Sequence, residues 1–396
     1  MTHTLAALLA LTVAVSGAVS GEYPSPPPWS VLSVQESNPT TPYTEYNAEL
    51  FTPVEELGAL SASEFTTLSH PAFPHHSARV KQSHFCDESV RINGPNATVP
   101  FEYSWTEHAN VFFIDQPVGV GFSYAEYGES VDNTIDASKD IAGFIAIFFE
   151  RFTRFKGRPL HLAGKSYAVR LFGACTSANQ LKMGFPGPLL ACICVRDIRP
   201  ERTAGGARDG LSSVMIGNGA TEWMSLILSW YDARCADPIF PPVDDIADVQ
   251  RYLRLPDVQA AIGVDPAVRG NFSITSWRVN LAFIAGLDLY SYRADHYLAA
   301  LLERGVRVLV YVGSNDWVAN WIGNDRMTRS LEWTGNGAFR AQPLWVWFVD
   351  GEAAGLTRSG SGLTFATIAD AGHLAPYDQP VRSLALANRW FAREEL

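Results

Sequence analysis

The sequence is poor in positive charge. Its 396 residues include 30 Lys and Arg against 41 Asp and Glu, so the formal net charge is −11 at pH 7. Proteins that bind nucleic acids need basic patches to contact phosphates, and this balance argues against such a partner. Charged residues make up 18% of the chain and hydrophobic residues 47%, a composition that is typical of a globular protein and excludes a disordered one.

Cysteine is scarce and odd in number. The five residues of this type are Cys86, Cys175, Cys192, Cys194 and Cys235. In an oxidising compartment an odd number leaves at least one thiol unpaired. Cys192 and Cys194 are too close in sequence for a zinc knuckle, and no histidine-rich segment follows them. We therefore expect incidental or unpaired thiols and no metal site.

Hydrophobic runs of membrane-spanning length are missing after the N-terminus. Residues 5–19 are uncharged and mostly apolar, and a small-x-small cleavage pattern follows at 18–20. This run is short for a membrane span, and it predicts a signal peptide over residues 1–20. The sequons that begin at Asn96 and Asn271 are compatible with N-glycosylation in the secretory pathway.

Residues 21–85 show little apolar periodicity and are rich in Pro, Ser, Thr and His. Three consecutive prolines at 26–28 favour an extended chain without a helix. We interpret residues 21–85 as a largely irregular leader or pro-region, in which residues 50–68 could form one amphipathic helix. A domain over residues 86–396 would follow it.

Strand and helix patterns alternate through that domain. Apolar runs at 110–115, 211–216 and 306–311, and a shorter run before Gly164, predict buried strands. Helices are predicted at 133–151, 223–235, 243–263 (two short helices), within 282–305 and at 381–394, and paired strands at 343–349 and 355–368. The apolar side of the first helix would comprise Ile135, Ala137, Ile141, Phe144, Ile147 and Phe148. The alternation predicts an α/β fold with a mostly parallel central sheet flanked by helices.

The segment around Ser166 is the first candidate for chemistry. A short strand, a tight turn at Gly164 and the start of a helix would lift the Ser166 hydroxyl out of the sheet, as in the nucleophile elbow of α/β-hydrolases. The pattern G-x-S-x-G is imperfect here because its fifth position is Ala168. Most pentapeptides of this kind are ordinary turns, so the pattern alone does not establish a nucleophile.

Asp316 and His373 also follow predicted strands, and the chain order Ser, Asp, His is the one found on α/β-hydrolase sheets. Active sites gather at the carboxyl ends of strands in open α/β sheets. Ser166 would be the nucleophile, His373 its base, and Asp316 the group that orients the imidazole. Taken singly, Asp316 could be a loop or cap residue and His373 a turn histidine.

Five separated segments resemble serine carboxypeptidases, in particular the fungal vacuolar group that is typified by carboxypeptidase Y. They are residues 113–124 (FIDQPVGVGFSY), 164–169 (GKSYAV), 213–219 (SVMIGNG), 316–321 (DWVANW) and 372–380 (GHLAPYDQP). The resemblance runs from about residue 103 to the C-terminus. It implies an α/β-hydrolase fold with a shortened helical cap insertion at about 181–275.

The same resemblance implies a function. A serine carboxypeptidase removes C-terminal amino acids from peptides through an acyl-enzyme, usually at acid pH, with no cofactor or metal. The backbone N–H of Tyr167 would be one oxyanion donor. Peptide or protein C-termini would be the substrates, with no nucleic-acid partner and no membrane span after signal removal. The vacuole or the extracellular space would be the location.

One family segment is missing from the chain. Serine carboxypeptidases carry the sequence W-L-N-G-G-P-G-C-S-S before the strand that ends near Asp115, but here residues 85–90 pass almost directly to Asn93. In the family this segment supplies a second oxyanion donor and an asparagine that binds the substrate carboxylate. Loss of one oxyanion donor typically costs about 100- to 1,000-fold in turnover.

Lys165 and Val169 are further departures, since the family has Glu and Gly at these positions. Lys165 could bind a substrate carboxylate directly by its charge. It would also disfavour the imidazolium form of His373, which predicts that any activity loses its acidic optimum. Val169 would crowd the packing of helix on strand, and few of the family's cysteines remain.

Three interpretations therefore stay open. The first is an active serine carboxypeptidase. The second is a relative that keeps the triad but is catalytically impaired or inactive. The third is a serine carboxypeptidase-like acyltransferase, which uses an alcohol acceptor in place of water.

Overall fold

An eight-stranded sheet lies at the centre of the fold. The computed structural model describes residues 65–70, 73–81, 90–92, 94–105, 109–124, 130–155, 158–167, 192–195, 211–230, 243–261, 264–265, 268–270, 272–273, 276–288 and 293–396. The strands are β1 (Phe65–His70), β2 (Phe73–Lys81), β3 (Val90–Ile92), β4 (Thr98–Pro100), β5 (Asn110–Phe113), β6 (Leu160–Lys165), β7 (Cys192–Val195), β8 (Leu211–Gly217), β9 (Arg307–Gly313), β10 (Trp345–Val349), β11 (Glu352–Gly360) and β12 (Leu363–Ile368).

Helices flank this sheet. They are α1 (Thr134–Arg151), α2 (Trp223–Ser229), α3 (Val243–Arg254), α4 (Pro256–Ala261), α5 (Trp277–Ala285), α6 (Ala294–Glu303), α7 (Trp321–Ser330), α8 (Asn336–Arg340), α9 (Ala375–Asp378) and α10 (Pro380–Ala392), with one 3-10 turn at Thr153–Phe155. Within the described ranges, no helix combines the length and the apolar character that a membrane crossing requires.

The strand order in the central sheet is β10-β11-β12-β9-β8-β6-β7-β5. Strands β12, β9, β8 and β6 are parallel neighbours, whereas β10 and β11 add an antiparallel edge. Strand β7 lies between β6 and β5 and is antiparallel to both. The predicted α/β fold with a mostly parallel sheet is confirmed.

Alternation along β9 shows why both faces of the sheet are covered. Val308, Val310 and Val312 belong to one buried cluster, which includes residues of α1 and α6. Leu309 and Tyr311 belong to a second cluster, which includes residues of α10. Because successive side chains of a strand point to opposite faces, a continuous apolar run requires helices on both sides.

Helix α1 begins where the sequence predicts. The Asn133 side chain caps it by accepting a hydrogen bond from the backbone N–H of Asp136 at 2.9 Å. Ala137 and Ile141 are buried as expected, but the assignment of Ile135 to the apolar side is wrong, since this residue is 45% exposed. Position 135 lies in the first turn, on the solvent side of the stripe that contacts the sheet.

Two tight turns fold the C-terminal strands. Asp350 and Gly351 join β10 to β11, and Ser361 and Gly362 join β11 to β12, and all four residues have positive φ. Two-residue turns of this kind suit the twist of antiparallel strands, and Gly adopts them at little cost. The predicted paired strands at 343–349 and 355–368 are thus confirmed, as three strands in place of two.

The predicted helix over residues 50–68 is wrong at its C-terminal end. Residues Phe65–His70 form β1, which pairs antiparallel with β2 (Phe73–Lys81), so these two segments of the predicted leader are not irregular either. This hairpin contacts α1. The aromatic residues Phe65 and Phe73 and the β-branched residues at 66, 67 and 80 have high strand propensity. Residues 50–64, like the signal peptide at 1–20, lie outside the described residues.

The boundary of the predicted cap insertion at 181–275 also needs correction. Strands β7 and β8 fall inside this segment and belong to the central sheet. The apolar run of β8 is buried on both faces, which is why it cannot belong to a surface insertion. The helix predicted at 223–235 ends earlier, at Ser229, and residues 231–242 lie outside the described ranges. The helices predicted at 243–263, before Gly305 and at 381–394 are confirmed as α3 with α4, α6 and α10.

Candidate active site

Ser166 follows β6 on a sharp turn. The residues of β6 from Leu160 to Gly164 are buried, and Ser166 then adopts φ 56°, a backbone conformation that L-residues rarely take. A side chain held in this region at the end of a buried strand is typical of the nucleophile elbow. The turn therefore presents the Ser166 hydroxyl at the carboxyl edge of the sheet.

The structure brings Ser166, His373 and Asp316 together. The Nε2 atom of His373 lies 3.0 Å from the Oγ of Ser166, and its Nδ1 atom lies 2.8 Å from Oδ2 of Asp316. Both distances are within hydrogen-bond range. His373 is 5% exposed and Asp316 is 2% exposed. The three residues form a nucleophile, base and orienting-acid chain that can transfer a proton from the hydroxyl to the imidazole.

Asp316 lies just after β9, and its carboxylate has several donors. Oδ1 accepts hydrogen bonds from the backbone N–H groups of Val318 at 3.0 Å and Ala319 at 3.2 Å. Oδ2 accepts one from the side-chain amide of Asn218 at 2.7 Å, in addition to its contact with His373. A carboxylate with all of these donors is fixed in orientation, as a group that orients an imidazole must be.

His373 is carried by the loop between β12 and α9. The backbone N–H of Gly372 donates to Oδ2 of Asp378 at 2.7 Å, which holds the loop from its far side. Gly313, the last residue of β9, lies under the same loop, where a Cβ would overlap the carbonyl groups of Ala371 and Gly372. The loop can approach β9 closely only because residue 313 has no side chain.

Lys165 immediately precedes Ser166, and its side chain is largely buried. Burial lowers the pKa of Lys165 from 10.5 to about 8, while the negative charges of Asp316 and Asp378 act in the opposite direction. The side chain is therefore mostly protonated at neutral and acid pH. The residue before Ser166 is thus a cation whose charge interacts with those of Asp316 and Asp378.

The loop after β5 is held by Asp115. Its carboxylate accepts a hydrogen bond from the backbone N–H of Phe122 at 2.7 Å, and its carbonyl oxygen accepts one from the Ser123 hydroxyl at 2.6 Å. Burial raises the pKa of Asp115. Gly121 has φ 56°, and a Cβ there would overlap the Asp115 carboxyl group. The glycine-rich stretch at 116–124 is therefore a tight loop, as the sequence suggests.

Two site features escaped the sequence analysis. Asn218, which binds Asp316, belongs to the segment SVMIGNG, but nothing in that segment distinguishes it from a turn asparagine. Asp288 is 4% exposed and accepts hydrogen bonds from the Tyr167 hydroxyl and from the side chain and backbone N–H of Thr134. Asp288 and Thr134 are 154 residues apart in the chain, so no local pattern could have linked them.

The structure describes one of the two predicted glycosylation sites. Asn96 lies in the turn between β3 and β4 and is exposed, as an acceptor of a glycan must be. Asn271 lies outside the described residues.

Sequence comparison adds an independent observation. The family model described as "Serine carboxypeptidase" matches residues 89–177 and 240–393. The chain belongs to the serine carboxypeptidase family. The matched segments contain Ser166, Asp316 and His373, and residues 178–239 between them are unmatched.

Individual family members cover most of this chain. Carboxypeptidase Y of Candida albicans is 30% identical over 360 residues, which include 73% of this chain and 61% of the relative. A vacuolar serine-type carboxypeptidase of Saccharomyces cerevisiae is 29% identical, with 73% of this chain and 66% of the relative covered. The chain thus spans less than two thirds of the length of both relatives.

A solved structure supports the fold. The crystal structure of the prohormone-processing carboxypeptidase Kex1 from Saccharomyces cerevisiae superposes with a TM-score of 0.58 at 18% identity. The superposition covers 77% of this chain and 78% of the Kex1 chain. At this identity the likeness shows a shared α/β-hydrolase architecture.

Proposed function

We propose that this protein is a serine-type carboxypeptidase that releases C-terminal amino acids from peptides through an acyl-enzyme. The observation that carries the proposal is the chain of hydrogen bonds from Ser166 through His373 to Asp316, with distances of 3.0 and 2.8 Å, on an elbow where Ser166 has φ 56°. Membership in the serine carboxypeptidase family supports the same reaction.

In the proposed reaction the Ser166 Oγ attacks the carbonyl carbon of the last peptide bond, and His373 Nε2 takes the hydroxyl proton. His373 then gives that proton to the leaving amine, and the C–N bond breaks to release the C-terminal amino acid. Water attacks the remaining ester with His373 again as base, and Ser166 is regenerated. Asp316 holds the proton on Nδ1 throughout and stabilises the imidazolium.

Two groups beside the triad are assigned to the substrate. The backbone N–H of Tyr167, the residue after the nucleophile, would donate to the oxyanion of the tetrahedral intermediate. The ammonium of Lys165 would attract the free carboxylate of the substrate. If so, Lys165→Met should raise KM for a peptide substrate much more than for the matching peptide amide, which has no terminal carboxylate.

Reduced turnover is the second candidate within the same family. It is favoured by the sequence, which lacks the glycine-rich segment that supplies the second oxyanion donor in relatives. The antiparallel strand β7 lies between β5 and β6, the two strands that lead to Asp115 and Ser166. A chain with one oxyanion donor would form the acyl-enzyme about 100- to 1,000-fold more slowly than an enzyme with two donors.

The cellular location is proposed from the N-terminal sequence and from the relatives, one of which is named as a vacuolar enzyme. The predicted signal peptide at 1–20 and the sequons at Asn96 and Asn271 fit a glycoprotein of the secretory pathway, delivered to the vacuole or secreted. Peptide or protein C-termini are the proposed substrates.

The test uses the full chain and two probes. Diisopropyl fluorophosphate should label Ser166 stoichiometrically, and an N-blocked dipeptide should lose its C-terminal residue. Labelling with little peptide turnover would favour the impaired relative. Transfer of the acyl group to an added alcohol, in preference to water, would favour an acyltransferase. A folded chain that fails to react with the fluorophosphonate at Ser166 would overturn the carboxypeptidase and the acyltransferase and would leave an inactive relative.

A further inference from the structure

Asn218 begins the loop after β8, at the carboxyl edge of the sheet. The residue is fully buried and has φ 47°. Asparagine tolerates this left-handed conformation better than most residues do. Its backbone N–H donates to the carbonyl oxygen of Tyr311 on β9 at 2.8 Å, so the chain bends while it is still attached to the sheet. The turn directs the side chain of Asn218 into the triad.

The side-chain amide of Asn218 contacts two parts of the triad at once. Nδ2 donates to Oδ2 of Asp316 at 2.7 Å and to the carbonyl oxygen of Gly372, the residue before His373, at 3.1 Å. Two residues later, the backbone N–H of Ala220 donates to the carbonyl oxygen of Ser166 at 3.1 Å. One short loop, residues 218–220, is thereby bonded to the segments that carry the acid, the base and the nucleophile.

The geometry at Asp316 explains why an amide is suited to this position. Oδ2 of Asp316 must accept a hydrogen bond from His373 Nδ1 while its other oxygen is held by two backbone N–H groups. An N–H from Asn218 on the same Oδ2 fixes the plane of the carboxylate. The second N–H of the amide then holds the His373 loop at a fixed distance from that carboxylate.

We propose that Asn218 is a positioning residue for the triad, which acts on the reaction through Asp316 and His373 without contacting the substrate. This proposal rests on the proposed function, because it assigns Asn218 a role in the same proton transfer. Asn218 lies in residues 178–239, between the two segments that the family model matches. The structural alternative is that Asn218 only fills a buried turn.

Asn218→Gly is the cleanest substitution. Glycine adopts φ 47° without strain, so this variant removes the amide and leaves the backbone turn possible. We expect kcat to fall by about 10- to 100-fold, which is the typical loss when a residue that orients a metal ligand through a hydrogen bond is removed. KM should change by less than about twofold, because no substrate contact is lost. The rate of labelling by diisopropyl fluorophosphate should fall in parallel.

The matched control is Asn336→Ala. Asn336 also donates two side-chain hydrogen bonds to backbone carbonyls, those of Arg329 and Leu331, but it lies at α8 and contacts no triad residue in the described structure. This variant should lower the melting temperature without slowing the fluorophosphonate reaction. The loss in labelling rate is compared with the loss in melting temperature for each variant. If the two variants show the same ratio, Asn218 has only a structural role and the proposal is overturned.

Asn218→Asp tests the proposal through the pH dependence of activity, which should not change if Asn218 only fills a buried turn. The introduced carboxyl is nearly isosteric but would face Asp316 as a second carboxylate, and two carboxylates in contact share a proton more readily at low pH. The activity of this variant relative to the unsubstituted protein should therefore recover as the pH falls and decline as the pH rises. A constant ratio across pH would contradict the proposal.

A spectroscopic measurement completes the test without catalysis. The low-field proton resonance of His373 Nδ1–H reports its hydrogen bond to Asp316, and it should broaden or vanish in Asn218→Gly and persist in Asn336→Ala. If Asn218→Gly does not fold, the proton resonance and the pH dependence of activity are measured on Asn218→Asp in its place. A protein that is unreactive at Ser166 before substitution would refute the proposed function, whereas unchanged reactivity in folded Asn218 variants would refute the inference alone.

Discussion

His373 Nε2 lies 3.0 Å from Ser166 Oγ, although the two residues are 207 positions apart in the chain. Ser166 follows β6, and His373 follows β12, which is separated from β6 in the sheet by β9 and β8. The parallel direction of these strands is what brings both residues to the same edge. The contact therefore depends on the whole sheet, and it is the part of the site that substitution tests most directly.

Ser166→Ala should abolish peptide hydrolysis and fluorophosphonate labelling while leaving the fold intact. Removal of one hydroxyl eliminates the nucleophile, and in enzymes of this kind the loss in kcat is about 10⁴-fold or more. The double variant with His373→Ala should be no slower than Ser166→Ala alone, because the two groups act as one unit. Ser130→Ala, at an exposed serine, is the control and should have normal activity.

Asp316→Asn should reduce kcat by about 10⁴-fold with little change in KM. The amide that replaces the carboxylate can present its N–H group to His373 Nδ1 and so favour the wrong tautomer of the imidazole. The backbone N–H groups of Val318 and Ala319 would keep the amide oxygen at the position of Oδ1, so the NH2 group would replace Oδ2 beside His373. Steady-state kinetics on an N-blocked dipeptide measures the effect, and a loss of less than about tenfold would contradict the assigned role of Asp316.

Lys165→Met should stabilise the protein below about pH 8. Burial lowers the pKa of Lys165 in the folded state from 10.5 to about 8, so the unfolded chain holds this proton more tightly than the folded one does. The resulting cost, about 1–3 kcal/mol, is fully present below pH 8 and disappears as the pH rises toward 10.5.

Thermal melts at several pH values check this prediction. The melting temperature of Lys165→Met should exceed that of the unsubstituted protein at pH 6, and the difference should shrink between pH 8 and 10.5. Lys139→Met, which removes an exposed lysine on α1, should show no such trend. A difference that grows with pH would show that the Lys165 charge stabilises the fold.

The pH–rate profile tests the remaining prediction about Lys165. Relatives carry Glu where this chain has Lys165, and the sequence predicts that the exchange removes the acidic optimum, so activity should not peak near pH 5. In the Lys165→Glu variant, which restores the residue that relatives carry, the profile should move toward acid. Identical profiles for the two proteins would rule out an influence of Lys165 on His373.

Gly121→Ala should destabilise the loop that precedes the active site. The substitution meets two penalties, since Gly121 has φ 56° and a Cβ would overlap the Asp115 carboxyl group. Gly94→Ala is a matched control, because Gly94 has φ 78° but open space around a Cβ. We expect about 1–2 kcal/mol for Gly94→Ala from the backbone alone and a clearly larger loss for Gly121→Ala, measured by urea unfolding. Equal losses would mean that the loop adjusts around Asp115.

Local sequence determined much of the fold. The apolar run of β9 predicts a strand buried on both faces, and the periodicity after Asn133 predicts α1. The turn at Ser361-Gly362 was missed, because the pattern over 355–368 predicts one strand where the structure has β11 and β12. These outcomes depend on side-chain periodicity and on backbone conformations that a few residue types adopt cheaply. The chain order of Ser166, Asp316 and His373, each just after a predicted strand, likewise predicts the triad.

Only the tertiary structure decided how these pieces meet. The pairing of β7 with β5 and β6 arises from contacts between distant segments, and so do the hydrogen bonds from Asn218 to Asp316 and from Tyr167 to Asp288. The lowered pKa of Lys165 is likewise a product of burial. Such features depend on which polar groups are buried next to one another. Long-range packing determines those neighbours, and the local sequence does not.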